Sequence, residues 1–175
     1  MAQTWVALLR GINLVKRNRV SMPELRRVME EAGYRDVRTY IASGNVLFTR
    51  QAKDRRRLAR SLEKLIADEF GVNAAVVLRT PDELRRVVDA HPFGKDTSKT
   101  HVTFLAETPS AKAVTEVASH DIAPDRIEVE GSDVYLHYPN GSSGTRVKPR
   151  MLAPLGIGTD RNWRTVAKLV ELAGR

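Results

Sequence analysis

The chain reads as an α+β protein made of two ferredoxin-like lobes, with antiparallel or mixed sheets and helices packed on one face of each. Three observations carry that expectation. Strand-like apolar runs and amphipathic helical segments follow one another as β-α-β-β-α-β over residues 1–80. A similar order starts again near residue 100. The length, 175 residues, suits one substantial domain or two small lobes sharing a core.

The first strand, Trp5-Val6-Ala7-Leu8-Leu9, stops abruptly on Arg10-Gly11-Ile12-Asn13 and a basic loop, Lys16-Arg17-Asn18-Arg19. A capping box, Ser21 with Glu24, opens the first helix. Leu25, Val28, Met29 and Ala32 then form one apolar stripe at i, i+3, i+4 and i+7, and Gly33 supplies the C-terminal cap. Val37 to Ala42 and Val46 to Phe48 are strand runs broken by Ser43-Gly44-Asn45, a hairpin signal. The second helix spans about residues 54 to 70, with Leu58, Leu62, Leu65, Ile66 and Phe70 on one side and Gly71 after it. Ala74 to Leu78 reads as a short buried strand.

Thr80-Pro81-Asp82-Glu83 is a second capping box, with Pro at the first helical position. It opens a helix over 81–90, followed by His91-Pro92-Phe93-Gly94 and a polar linker through Lys95 to Lys99. The expected boundaries are therefore an N-terminal lobe at 1–80, a connecting helix and loop at 81–94, and a C-terminal lobe at 95–175. In that second lobe Val102 to Ala106 reads as a strand and Pro109 to Ser119 as a helix. Ile127 to Val129 and Val134 to Tyr138 flank Gly131-Ser132, a second hairpin. A Gly/Ser/Arg-rich loop at 139–150, an apolar piece from Met151 to Ile157 and a last helix over about 161–173 complete the chain. Thr159 or Asp160 is expected to cap that helix, with Trp163, Val166, Ala167 and Val170 on its buried side.

Composition narrows the function classes. With 42% hydrophobic and 29% charged residues, the chain has the make-up of a soluble globular protein. No apolar run approaches the roughly 18 residues that span a bilayer, so no membrane partner is expected. The first residues lack a positive signal region, and there are no cysteines. Disulfides, thiolate metal sites and thiol catalysis are thereby excluded, and a cytoplasmic location is the simplest expectation. The balance of 29 Lys+Arg against 21 Asp+Glu gives a net charge of +8, which attracts polyanions. The arginines are spread over several elements, as on a solvated surface. The interleaved aromatics of a nucleic-acid recognition strand are missing.

Topology gathers the candidate site. A right-handed first crossover makes strands one and two run the same way, so their C-terminal ends share an edge. Arg10, Gly11, Asn13 and Lys16 then lie beside Ser43, Gly44 and Asn45. Arg and Asn offer planar donors suited to phosphate or carboxylate, and the glycines permit close backbone approach. The competing reading is local: the glycines serve turns and the Asn side chains close Asx bonds. A second candidate is the loop from Tyr138 to Arg150, where Gly and Ser amides lead into Thr145 and Arg146 and could form an anion nest. It lacks the ending of a phosphate-binding Walker loop. A third is Arg161 and Asn162, expected in the first turn of the last helix, where cations oppose the helix dipole. His101 and His137 are expected on the central strands of the second lobe near one end. No third ligand is placed by spacing, so no metal site is assigned. No cofactor motif is read, and no paired carboxylates or nucleophile with a base mark an enzyme.

At these residues a resemblance becomes specific. Ala7-Leu8-Leu9-Arg10-Gly11-Ile12-Asn13, Val37-Arg38-Thr39-Tyr40 with Ser43-Gly44-Asn45-Val46, His101-Val102-Thr103-Phe104-Leu105, and Arg161-Asn162-Trp163 with Thr165-Val166 and Lys168-Leu169 resemble one uncharacterised bacterial family. It is domain of unknown function sixteen ninety-seven. The resemblance spans nearly the whole chain and implies a two-subdomain α+β fold, with no assigned activity. The glycine pair that the family carries after Ile-Asn-Val is replaced here by Val15-Lys16-Arg17, and a Ser-Lys-Leu step reads Thr145-Arg146-Val147. The residues point to a protein that binds an anionic ligand, phosphorylated or carboxylate, at the edge formed by the 10–19 loop and the 43–45 hairpin. The alternative is a nucleic-acid-binding module using its basic surface.

Overall fold

The computed structural model describes residues 1–174. The first apolar run becomes β1 (Gln3–Leu9). Trp5, Ala7 and Leu9 face a core shared with two helices, and Val6 and Leu8 on the opposite face are buried as well. A strand buried on both faces shows no alternation in sequence, which is why it reads as a continuous apolar stretch.

Three further strands complete its sheet: β2 (Arg35–Tyr40), β3 (Asn45–Arg50) and β4 (Val76–Arg79). The order is β2-β3-β1-β4, and every pairing is antiparallel. Since β1 and β2 both oppose β3, they run the same way and end on the same edge. Helix α1 (Met22–Glu31) starts at Ser21, whose hydroxyl accepts the amide of Glu24. The Glu24 carboxylate does not complete the expected box; it pairs with Arg27. The helix ends in a Schellman motif, in which Gly33 donates to Glu30 and Tyr34 to Met29. Helix α2 (Arg55–Phe70) runs from Asp54 to Gly71 as expected and lays Leu58, Leu62 and Ile66 on the core. Helix α3 (Pro81–Asp89) has both halves of its box: Thr80 Oγ1 accepts the Glu83 amide, and Glu83 Oε2 accepts the Thr80 amide.

The second sheet repeats the strand order. It comprises β5 (Thr100–Leu105), β6 (Arg126–Glu130), β7 (Asp133–His137) and β8 (Gly158–Asn162), arranged β6-β7-β5-β8 and antiparallel throughout. Helix α4 (Ala111–Ala118), capped by Ser110, joins β5 to β6. Single 3-10 turns and the four-residue α5 (Pro149–Leu152) fill the return from β7 to β8. Leu105, Val117, Leu136, Tyr138, Val147 and Leu155 form the core on this side. The chain closes with α6 (Trp163–Ala173). Both halves are thus ferredoxin-like, and the molecule is α+β.

The largest departure from the sequence reading is β8. Gly158-Thr159-Asp160-Arg161-Asn162 contains no apolar residue, so it carries no periodic signal and reads as the approach to a helix. Its strand character comes from pairing with β5, where a Cβ on Gly158 would sit 2.8 Å from Thr103. Arg161 is therefore a buried strand residue rather than part of a first helical turn. Neither Thr159 nor Asp160 caps α6; Asn162 does, its Oδ1 accepting the Thr165 amide at 2.9 Å. The buried side of α6 carries Thr165, Val166 and Leu169, whereas Ala167 is exposed.

Contacts divide the chain into two compact units, Met1–Leu84 with the segment from Leu169, and Arg85–Lys168. Among the described residues, no helix is long and apolar enough to cross a membrane.

Candidate anion-binding sites

The edge expected from topology is present in the first unit. The loop after β1 and the turn after β2 are stitched together: Leu9 donates its amide to Gly44 O at 2.8 Å, and Asn13 Nδ2 donates to Ala42 O at 2.7 Å. Gly44 has φ +92°, and a Cβ there would lie 2.7 Å from Ile12 and 2.8 Å from Leu9. Arg10, Gly11, Asn13, Lys16, Ser43, Gly44 and Asn45 are therefore gathered around one edge.

Their donors are another matter. Asn13 uses its second amide hydrogen on Val20 O and accepts from the Val20 amide, each at 2.8 Å. Asn45 is fully buried and donates to Tyr40 O and Ser43 Oγ. Both carboxamides thus have both N–H groups engaged inside the protein. Asn18, in the same loop, donates to Gly11 O. The exposed side chains at this edge include the cations Arg10, Lys16, Arg17 and Arg19, with Asn18, Ser43 and the apolar Leu14, Val15 and Ile41 beside them.

The loop after β7 is likewise pinned. Asp125, 5% exposed, accepts from Thr145 Oγ1 at 2.7 Å and from the Arg146 amide at 2.6 Å. The Arg146 guanidinium donates to Ala123 O. The Gly141 and Gly144 amides go to the carbonyls of Tyr138 and Gly141. Thr145 and Arg146 thereby clasp the loop to the approach of β6.

The second unit also holds a cleft of about 430 Å³. It is lined by Thr97, Ser98 and Lys99 before β5, His101 on β5, Tyr138, Gly141 and Ser142 after β7, and Asn162, Trp163 and Arg164 at the start of α6. Among the described residues, two cations line it and no carboxylate does. Because the lining includes the cap and first turn of α6, the positive end of that helix adds to the field.

His101 is held from behind. Its Nδ1–H donates to Asp160 Oδ2 at 2.7 Å, and Thr103 Oγ1 donates to the other carboxylate oxygen at 3.3 Å. Nε2 is then the ring nitrogen left to meet a ligand. Tyr138, its ring 5.2 Å from His101, is 7% exposed. Burial, with Asp160 and Asp125 adding, pushes its phenol well above the usual tyrosine value, so it stays a neutral hydroxyl. Trp163 is steadied by His91, with ring centroids 4.5 Å apart. Behind the cleft, burial lowers Arg161 to about 10, partly offset by Asp160. Its guanidinium donates to Thr159 Oγ1 and Asp160 O.

Of the residues singled out from sequence, Asn162 lines this cleft, as do His101 and the Tyr138, Gly141 and Ser142 part of the loop after β7, whereas Thr145, Arg146 and Arg161 do not. The sequence places Lys99 in a polar linker and His101 in a histidine pair, and it gives Arg164 no sign of a site. The pairing also separates that pair. His101 sits opposite Leu136 and His137 opposite Thr100, so the two histidines lie near one end of the sheet but on opposite faces. Among the described residues, no cluster of three or more His, Asp or Glu could hold a metal ion. The missed residues had no local signal, because β8 brings Asp160 and Asn162 alongside β5.

Two ferredoxin-like units, one with a cation-lined cleft, define the chain as a two-lobed α+β protein. It belongs to the family described as Protein of unknown function (DUF1697), whose pattern matches residues 2–135. Its fold is similar to that of a conserved bacterial protein from Streptococcus pneumoniae. That likeness has a TM-score of 0.79 and 22% identity, and covers 99% of each chain. No curated protein matches the chain.

Proposed function

We propose that the protein binds a small anionic ligand, phosphorylated or carboxylate, in the cleft of the second unit. One observation carries the reading: Lys99 and Arg164 line a cleft that also presents Ser98, Ser142 and Asn162 but, among the described residues, no carboxylate. Charge-assisted hydrogen bonds to such an anion are the strong ones, and hydroxyl donors complete its shell. Calorimetric titration with pyrophosphate and with citrate tests it. At least one of these anions binds the native protein, and the double variant Lys99→Ala/Arg164→Ala weakens that binding by about tenfold or more. Binding unchanged in the double variant removes the reading.

The second reading keeps the anion at the edge formed by the 10–19 loop and the 43–45 hairpin. Its support is the exposed group Arg10, Lys16, Arg17 and Arg19 around one tip. In that case the cations and backbone would hold the ligand, since Asn13 and Asn45 are engaged inside. The double variant Arg10→Ala/Lys16→Ala would then weaken binding. A net charge of +8 also favours attraction to nucleic acid, and a steep loss of oligonucleotide affinity with salt is its signature.

A further inference from the structure

We infer that the ligand of the second unit's cleft is a nucleoside phosphate, an inference that rests on the anion-binding reading and narrows it. The cleft is too large for its charge alone. A bare phosphate or carboxylate would leave most of about 430 Å³ empty, a volume within the roughly 300–1,000 Å³ of sites for drug-sized organic ligands. The lining supplies a second chemistry to fill that space. Trp163, Tyr138 and His101 bring three rings into the same cleft as Lys99 and Arg164.

These rings are fixed before any ligand arrives. Trp163 rests against His91, and His101 is held by Asp160 and sits beside Tyr138. A ring held by its own contacts loses little freedom when a base stacks on it. Asn162 adds polar specificity: its Oδ1 is occupied by the Thr165 amide, which leaves the Nδ2 donors for a base or ribose acceptor. A phosphate at the cation pair and a heterocycle against the rings would use both chemistries together. A mononucleotide fits better than a strand. The three lining rings share one cleft of about 430 Å³ with the cation pair, the scale of a single nucleotide, whereas a strand-binding groove needs successive stacking platforms along its length.

The test is a calorimetric titration of the native protein with AMP, GMP, CMP and UMP, with adenosine and ribose 5-phosphate as the two halves. At least one nucleotide is expected to bind about tenfold tighter than ribose 5-phosphate, which lacks the base to stack. Adenosine, lacking the phosphate, is expected to bind more weakly still. Trp163→Leu should bring the nucleotide down to the level of ribose 5-phosphate, and Trp163→Phe should restore it to within about threefold, as stacking needs a ring rather than an indole. If ribose 5-phosphate binds as tightly as every nucleotide, the base contributes nothing; the inference falls while the anion reading stands. If neither nucleotides nor ribose 5-phosphate bind, and pyrophosphate and citrate also fail, both fall together. An oligonucleotide that binds far more tightly than any mononucleotide also overturns it, in favour of a strand-binding surface.

Discussion

The edge of the first unit and the cleft of the second are made from the same residue types, yet they use them in opposite ways. At the edge, Asn13 and Asn45 turn inward and spend all four of their amide donors inside the protein, one of them tying the loop to the turn through Ala42 O. In the cleft, Asn162 needs only its oxygen to cap α6. His101 likewise gives one ring nitrogen to Asp160 and keeps the other. A residue suited to binding is therefore identified by what its polar atoms have left over. Its type and its place at a sheet edge are not enough.

That contrast can be broken by substitution, and the largest effect should fall at the edge. Gly44→Ala places a methyl within 2.8 Å of both Ile12 and Leu9 at φ +92°. Crowding plus left-handed backbone should cost about 2–4 kcal/mol, read as a fall in the denaturant midpoint. Asn13→Ala removes three hydrogen bonds and leaves the Val20 amide without its partner. A loss of about 2 kcal/mol is expected in the same measurement. A change near zero at Asn13 would mean that the loop is not stapled there, and would reopen its amide for ligand.

Smaller effects sharpen the picture. Ile41 is a β-branched, half-exposed residue at φ +53° in the turn between β2 and β3. Ile41→Gly relieves the left-handed strain and should stabilise the protein by about 1 kcal/mol. In the second unit, burial holds His91 below the ordinary histidine value, opposed by the Gly94 carbonyl and reinforced by neighbouring His137. His91 Nε2 also meets Thr100 Oγ1 at 2.9 Å. The unfolded chain takes up this proton more readily than the folded one, so stability is full above the unfolded value and declines as pH falls below about 6.5. Melting temperatures between pH 7.5 and 5.5 should show that decline, and His91→Gln should flatten the His91 part of it. The first unit's Arg55–Glu83 pair, 2.7 Å apart and partly exposed, should contribute the least, up to about 1 kcal/mol on Arg55→Ala.

Much of this architecture is legible because local chemistry and global fold agree. The Thr80-Pro81-Asp82-Glu83 box forms with both of its bonds, and α2 begins on Asp54 and stops at Gly71 as its stripe requires. The meeting of the 10–19 loop with the 41–44 turn follows from strand order alone. What sequence does not carry is β8, whose glycine and four polar residues become a strand only because β5 offers an open edge. The cleft depends on that pairing. Lys99 and Arg164 are 65 positions apart, and only the β5–β8 ladder, with His101 opposite Asn162, brings their neighbourhoods together. The direction in which an Asn spends its donors is equally invisible in sequence, since an inward staple and an outward hook share one letter.

The central claim is that the cleft, and not the edge, is where a small anion binds. Amide shifts in isotope-labelled protein during a titration with inorganic phosphate test it residue by residue. The account predicts the largest shifts at residues 97–99, 141–142 and 162–164, with residues 10–19 and 41–45 little changed. Largest shifts at 10–19 and 41–45 would contradict it, as would an unperturbed spectrum.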